Sequence, residues 1–398
     1  MSNVRYAVGL DVGSSRTRCA VCLLEDDSLR YIAHCESESL GWAKGRISDG
    51  AAVTETVRKT VQEAERRAQI SLEAATVGMG GSTIEGSNSR GLYEFGRPRE
   101  IDPGDLNYAV ELASKVRLPD DRLVMQVAPQ DFTVDGRAGF RNPRGVPCAR
   151  LEANVHVITA SVAEHQTLLN AVHHAWLAVE ETIFEPAAAA YAAVLPEDRA
   201  RGVAIVDIGA HSTDVVVYDG DAMLRAGTIP VSADHFTRDV AFGLTVSYED
   251  AEALKREYGC AILGLTSDSS LIEVPSQEGR APREAPRRLL NEILEARAEE
   301  LFLYVRNELA RAGMEQQLLE GIVLTGGGAM LNGMCDMAER VVNCPARNGL
   351  PVGIGGWPDE INDAAWCVAA GLAMYSAKLK TRKEWKRSVP GLVGLVLR

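Results

Sequence analysis

The sequence predicts an α/β protein of two duplicated lobes closed around a nucleotide cleft, with a small subdomain inserted into the first lobe. Three segments carry that expectation. AVGLDVGSSRTRCAVC and GVAIVDIGAHSTDVVVY overlay so that Asp11 falls on Asp207, Gly13 on Gly209 and Thr17 on Thr213. In each, an apolar strand runs into Asp-x-Gly, small or hydroxylated residues follow, and a second apolar strand begins. The third segment, GIVLTGGGAMLNGM, ends an apolar strand in Gly326, Gly327 and Gly328. A glycine turn gathers backbone N–H groups into an anion-binding concavity, and a carboxylate beside it can hold a divalent cation or its waters. A strand ending in glycines lets backbone approach a flat ring, because no Cβ intrudes. Two such hairpin tips facing each other grip a nucleotide's phosphates from both sides. One Asp-x-Gly alone reads as an ordinary turn; the duplication and the third segment decide otherwise.

Composition bounds the rest. A chain of 398 residues is long enough for two or more domains, and its 46% apolar share is ordinary for a globular protein. A formal net charge of −13 argues against general nucleic-acid binding, which needs a basic footprint. MSNVRYAVGLDVG runs directly into a strand with no apolar signal region, and no apolar run reaches membrane-spanning length, so a cytoplasmic protein is expected. Cys19 and Cys22 form a C-x-x-C within an apolar strand, without a second pair, and read as core thiols.

Along the chain, AAVTETVRKTVQEAERRAQ places Val53, Val57, Val61, Ala64 and Ala68 at helical spacing. TVGMGG is the next strand. From 83 to 162, Gly and Pro punctuate short alternating runs such as RLVMQVAPQDFTV, which reads as the inserted α/β subdomain. A single helix is expected from Val162 through HHAWLAVEETIFEPAAAAYAAVLP, ended by Pro196. A helix is expected from Asp234 to Leu244, and SYEDAEALKREYG is another, capped by Ser247. Pro275, Pro282 and Pro286 flank a hairpin-like loop. A long helix from Arg287 to Ala312 meets Gly313 at a left-handed cap, and DAAWCVAAGLAMYSAKL is the last buried helix.

The three glycine segments, in this order and spacing, resemble the phosphate-1, phosphate-2 and adenosine motifs of the actin-like ATPase superfamily. YGCAILGLTSDSSLIEVPSQEGRAPREAPRRLLNEILEARAEEL and NPRGVPCARLEANVHVITA narrow the resemblance to the FtsA family, over residues 4 to 377. The resemblance implies ATP with Mg²⁺ between the lobes. Asp11 and Asp207 organise the metal and its waters, and Glu185 with Asp207 stands where hydrolysis, slow at most, is directed. Gly13, Ser14 and Ser15 cradle phosphate, with Arg16 either reaching it or facing solvent. Gly209, Ala210, His211 and Ser212 form the opposite cradle. A glycine is usual where His211 stands, so the imidazole either hinders closure on the terminal phosphate or adds a donor to it. Glu252 and Lys255, at i and i+3 of one helix, contact ribose and adenine or form a surface ion pair. Gly326, Gly327, Gly328 and Met330 border the base.

The resemblance also divides the chain. The first lobe is 1–82, completed by 163–199 and 365–377, with 83–162 inserted. The second lobe is 200–229 and 300–364, with a small subdomain at 230–299, and 378–398 is a basic tail. That tail carries seven basic residues against Glu384, then Leu392, Val393, Leu395, Val396 and Leu397, with Trp385 upstream, and so suits an anionic membrane surface. The family implies a polymer that ties FtsZ, through its C-terminal tail, to the cytoplasmic face of the inner membrane at the division site. Arg297 is the candidate FtsZ contact, and the inserted subdomain is the candidate contact for other division proteins. A PilM-like pilus-assembly protein is the near alternative, and a small-molecule kinase of the superfamily the distant one.

Overall fold

The computed structural model describes residues 5–25, 28–267, 269–275, 281–314 and 317–388, with backbone alone for 382–388. The first lobe opens with β1 (Arg5–Val12), β2 (Arg16–Glu25) and β3 (Ser28–Glu38), a short hairpin of β4 (Trp42–Ala43) and β5 (Arg46–Ile47), α1 (Gly50–Ala68) and β6 (Ala74–Met79). The insert follows as β7 (Glu85–Glu100), α2 (Pro103–Ser114), β8 (Arg122–Val134), β9 (Arg137–Phe140) and β10 (Pro147–Ser161). Then come α3 (Val162–His174), β11 (Ala178–Phe184), α4 (Glu185–Ala193) and α5 (Pro196–Arg199). The second lobe contains β12 (Val203–Ile208), β13 (Thr213–Asp219), β14 (Ala222–Ile229), α6 (Ala233–Leu244) and α7 (Tyr248–Tyr258). It continues through β15 (Leu271–Val274), β16 (Arg283–Pro286), α8 (Arg287–Arg311), β17 (Gly321–Thr325), α9 (Met334–Val342) and β18 (Ala346–Asn348), before α10 (Cys367–Ser388) returns to the first lobe.

The duplication seen in the two hairpins extends to whole sheets. The first five-stranded sheet has the order β11-β6-β1-β2-β3, and the second β18-β17-β12-β13-β14. In both, an antiparallel three-strand meander is followed by two parallel strands added on the opposite side. β12 (VAIVDI) is buried along its whole length, as a strand covered on both faces must be. Each lobe has its own apolar core, and the insert has a third around Leu106, Phe132 and Leu151.

Helix starts follow local chemistry. Asp49 caps α1 by accepting from the Ala51 and Ala52 N–H groups, and Val53, Val57, Val61 and Ala64 face the core. Ser247 caps α7 as expected, and Gly313 adopts φ +70 just beyond α8. In the insert, Asp102 and Asp105 form a reciprocal cap on α2, and Arg99 grips Asp105 with two hydrogen bonds of 2.5 and 2.6 Å. Cys19 and Cys22 are both fully buried, in separate apolar clusters.

Two expectations need correction. The single helix from Val162 to Pro196 is a helix, a strand and a helix. Trp176 at φ +67 ends the run after α3, and AVEETIF then pairs in parallel with β6. Its β-branched residues suit a pleated surface better than a helix. Pro196, read as a terminator, instead opens α5. The last helix also does not stop at Leu379 but runs to Ser388. Lys380 is tied down within it, donating to the Tyr6 carbonyl at 2.5 Å and lying 3.0 Å from Glu180, while Lys378 lies over the Tyr191 ring. These two cations of the tail are therefore engaged with the body.

The lobes meet at both edges of the second sheet. At the β14 edge, Gln130 of the insert donates to the Met223 carbonyl (2.8 Å), Arg141 of the insert to the carbonyl of Asp219 at the end of β13 (3.1 Å), and the Ala226 N–H of β14 to His156 Nε2 of the insert (3.0 Å). Next to β18, Arg347 donates to the Ala193 carbonyl (3.0 Å) and the Val352 N–H to that of Ala192 (2.8 Å). Within the first lobe α10 lies on α4 at backbone contact: a Cβ on Gly371 would stand 1.8 Å from the Ala188 carbonyl oxygen. Gly371→Ala is expected to lower stability by about 1–3 kcal/mol through overpacking. Gly264→Ala, where a Cβ meets nothing within 4 Å, should change it by less than about 0.5 kcal/mol. Urea unfolding of both variants checks the contrast.

Candidate functional site

The two Asp-x-Gly hairpins, the triple glycine and the start of α7 line one interlobe cleft of about 1130 Å³. All the residues expected to hold nucleotide border it: Asp11, Gly13, Ser14, Ser15, Arg16, Gly209, Ala210, His211, Ser212, Glu252, Lys255, Gly326, Gly327, Gly328 and Met330, with Glu185 and Asp207. Trp385 lies where only backbone is described, and Leu392, Val393, Leu395, Val396 and Leu397 lie outside the described residues. Arg297 stands apart from the cleft, bound to Asp239 at 2.6 Å and to Glu300.

The hairpin tips are built alike. A Cβ on Gly13 would meet the Arg16 carbonyl oxygen at 2.8 Å, and one on Gly209 the Ser212 carbonyl oxygen at 3.0 Å. Both glycines are thus required by the tightness of the turn. The three later glycines divide their work. Gly326 has φ +81 and no room for a Cβ beside Ile208 and Asp207, and Gly328 is pressed on Ile208, whereas Gly327 faces open space. Gly327 is therefore the point at which a flat ring can lie on backbone.

One difference between the hairpins matters. Asp11 pairs across its ladder with Arg18, but Asp207 pairs with Asp214. The cleft floor thus gathers three buried carboxylates, Asp11, Asp207 and Asp214, and the half-buried Glu185 at the first turn of α4. Burial, outweighing the Arg18 guanidinium 3.8 Å away and reinforced by Asp207, pushes Asp11 up to about 7. Burial likewise raises Asp207 to about 6, against the hydrogen bond from Thr325 (2.8 Å). Asp214 rises to about 7 by burial, although it accepts from Thr228 (2.5 Å) and from the Gly81 N–H (3.1 Å). Glu185 is held well above the usual carboxylate range by burial and then by Asp11, Asp214 and Asp207.

Asp214, Arg18, Gly80 and Gly81 escaped the sequence reading. Gly80 fits between Glu185 and Asp214, where a Cβ would lie 2.4 and 2.5 Å from their oxygens. The one available signal was the overlay itself, which sets Asp214 on Arg18 and so reverses a charge. On α7, Lys255 bonds Glu252 (2.6 Å) and Thr237 of α6 (2.7 Å), so the two residues form an ion pair and border the cleft at once. Arg16 lies 3.9 Å from Glu36 at the cleft rim. Among the described residues no three His, Cys, Asp or Glu side chains converge as a direct metal-ligand set. The carboxylates are instead spaced around uncompensated negative charge, which fits a dication held largely through its own waters.

Two pseudo-symmetric sheets with paired phosphate hairpins facing a shared cleft define the actin-like nucleotide-binding fold. A chain of the PilM–PilN type IV pilus biogenesis complex superposes with a TM-score of 0.66 at 18% identity, covering 93% of this chain and 98% of that one. MreB5 of Spiroplasma citri bound to ADP gives 0.58 at 14%, covering 96% and 98%. The model of cell division protein FtsA matches residues 204–371, and that of the SHS2 domain inserted in FtsA matches 81–159. Cell division protein FtsA of Pseudomonas aeruginosa is 34% identical over 372 residues, 93% of this chain and 89% of that protein. That of Escherichia coli K12 is 31% identical over 400 residues, 98% and 95%. The chain belongs to the FtsA family of cell division proteins. The likeness to PilM, at its low identity, is one of fold, and the alternative of a pilus-assembly protein gives way.

The carboxylate cluster sets a pH dependence. Its folded pKa values lie above those of an unfolded chain, so the folded state binds more protons between about pH 4 and 7. Stability of the nucleotide-free protein should accordingly fall as pH rises through that window. Asp11→Asn, which removes one buried charge without changing shape, should come closest to the wild type near pH 4 and exceed it in unfolding temperature by a growing margin up to about pH 8. Thermal unfolding at the two pH values tests this.

Proposed function

We propose that this chain binds Mg-ATP between its lobes, polymerises, and holds FtsZ filaments to the cytoplasmic face of the inner membrane at the division site. The observation that carries the nucleotide step is the pair of facing hairpin tips over a cluster of under-compensated carboxylates. Backbone donors of Gly13, Ser14, Ser15 and Ala210 suit phosphate oxygens, the Gly209 N–H being spent on the Ser212 carbonyl (2.9 Å) that closes its turn, and Gly327, Met330, Glu252 and Lys255 suit the nucleoside end. Asp11 and Asp207, with Asp214 and Glu185 behind them, would hold a hydrated Mg²⁺, which supplies charge neutralisation for the phosphates. Glu185 at the cleft floor is the candidate to position an attacking water, with hydrolysis read as slow at most. Asp11→Ala and Asp207→Ala should each weaken Mg-ATP binding by tenfold or more in calorimetry; unchanged affinity in both would contradict the reading.

The anchoring step rests on family membership and on the tail's composition. No described helix is long and apolar enough to cross a membrane, which leaves a peripheral attachment as the reading. With Lys378 and Lys380 engaged on the body, the basic residues left for anionic lipid are Arg382, Lys383, Lys386, Arg387 and Arg398. Each contributes on the order of 1 kcal/mol at such a surface, screened by salt, and polymerisation multiplies the contacts. Truncation after Thr381, which spares the Lys380 anchor, should abolish sedimentation with anionic liposomes, whereas Leu395→Glu should weaken it even at low salt. The small subdomain containing Arg297 is the proposed dock for the FtsZ tail, and the insert for the next subunit and for other division proteins. Pull-down with an FtsZ C-terminal peptide tests the first.

A further inference from the structure

The second hairpin tip carries an imidazole that reaches across the cleft. His211 Nδ1 lies 2.9 Å from Ser14 Oγ of the first lobe. On its other side stands Gly45, at the turn of the β4–β5 hairpin: a Cβ there would approach His211 Cβ to 3.0 Å, and its φ is +75. That hairpin is fastened to α3 by Arg46 and Glu164, 3.1 Å apart. One side chain of the second lobe is thus held between two elements of the first. His211 is not among the residues with left-handed backbone, so its position tolerates a side chain without strain.

The charged neighbours of the ring are Asp234, His235 and Arg238 of α6, and burial is the leading reason the imidazole is held below its usual pKa. A neutral imidazole has one nitrogen that only accepts. Here Nδ1 can accept from the Ser14 hydroxyl, which spends that hydroxyl's proton on the imidazole and removes it as a donor to phosphate oxygens for as long as the contact holds. A nucleotide with its base at Gly327 and its phosphates running between the tips brings its last phosphate to this pair.

We propose that His211 sets the preference of the cleft between nucleoside triphosphate and diphosphate, by clasping Ser14 across the position of the terminal phosphate. A diphosphate leaves the clasp whole; a triphosphate has to part it. The inference rests on the nucleotide reading above. Loss of one such bond corresponds to about fivefold in affinity. In calorimetry with Mg-ADP and a non-hydrolysable Mg-ATP analogue, His211→Gly should bind the triphosphate about fivefold more tightly and the diphosphate within about twofold of wild type. His211→Asn, whose side-chain oxygen can take the place of Nδ1, should keep the wild-type ratio. Without nucleotide, hydrogen exchange at 13–16 and 209–213 should be faster in the glycine variant. His211→Ala serves the same comparison should the glycine variant fold poorly. A ratio unchanged or moved toward the diphosphate, or unchanged exchange, overturns the proposal and leaves the nucleotide reading standing. Wild-type protein that binds neither nucleotide overturns both.

Discussion

Three buried carboxylates and a fourth, half-buried, at the meeting of two lobes are the constraint to which the surrounding structure answers. Ionised together and without a cation they repel, and burial deprives each of the water that would screen it. The fold meets this with fixed donors: Thr325 on Asp207, Thr228 and the Gly81 N–H on Asp214, and the Arg18 guanidinium near Asp11. None of these outweighs the loss of water, the leading cause that holds all four groups above the usual carboxylate range. What remains is a deficit of positive charge at the floor of a cleft whose walls offer backbone N–H groups. In the function proposed above, a hydrated dication and phosphate entering this cleft would compensate one another and the carboxylates at its floor.

Much of this was legible in the chain because a hairpin tip is a local object. Asp-x-Gly followed by small residues specifies its own turn, and both copies of that pattern lie in the sequence for comparison. The triple glycine could be found for the same reason. Asp214 and the Gly80–Gly81 pair could not, since their roles arise only when a residue of one lobe is pressed against a loop of the other. β11 was misread because AVEETIF stands between two good helical runs, and nothing local announces the parallel partner β6 that claims it. The continuation of α10 was hidden by composition: a basic stretch reads as a tail, and only the docking of Lys380 on Tyr6 and Glu180 shows where the body ends.

The duplicated sheets also show how far internal symmetry goes and where function breaks it. Strand order and direction repeat throughout. The departures are few: Arg18 against Asp214 on the second strand of each hairpin, an insert in the first lobe, and a small subdomain in the second. The charge reversal places the cluster's one close guanidinium on the first lobe and its additional carboxylate on the second. The cleft is therefore electrically lopsided although its walls are geometrically alike.

The attachment of the second sheet at both of its edges has a kinematic meaning. A body pinned at one edge can swing open like a door. A body held along two opposite edges, at β14 by the insert and beside β18 by the end of α4, resists that swing, and the motion left to it would be chiefly a twist about the line that joins the two. Whatever occupies the cleft would then act on a torsion as well as on the gap it fills. In a row of such subunits small torsions of one sense accumulate along the row, so the occupant of each cleft would be read out as the pitch of the whole assembly.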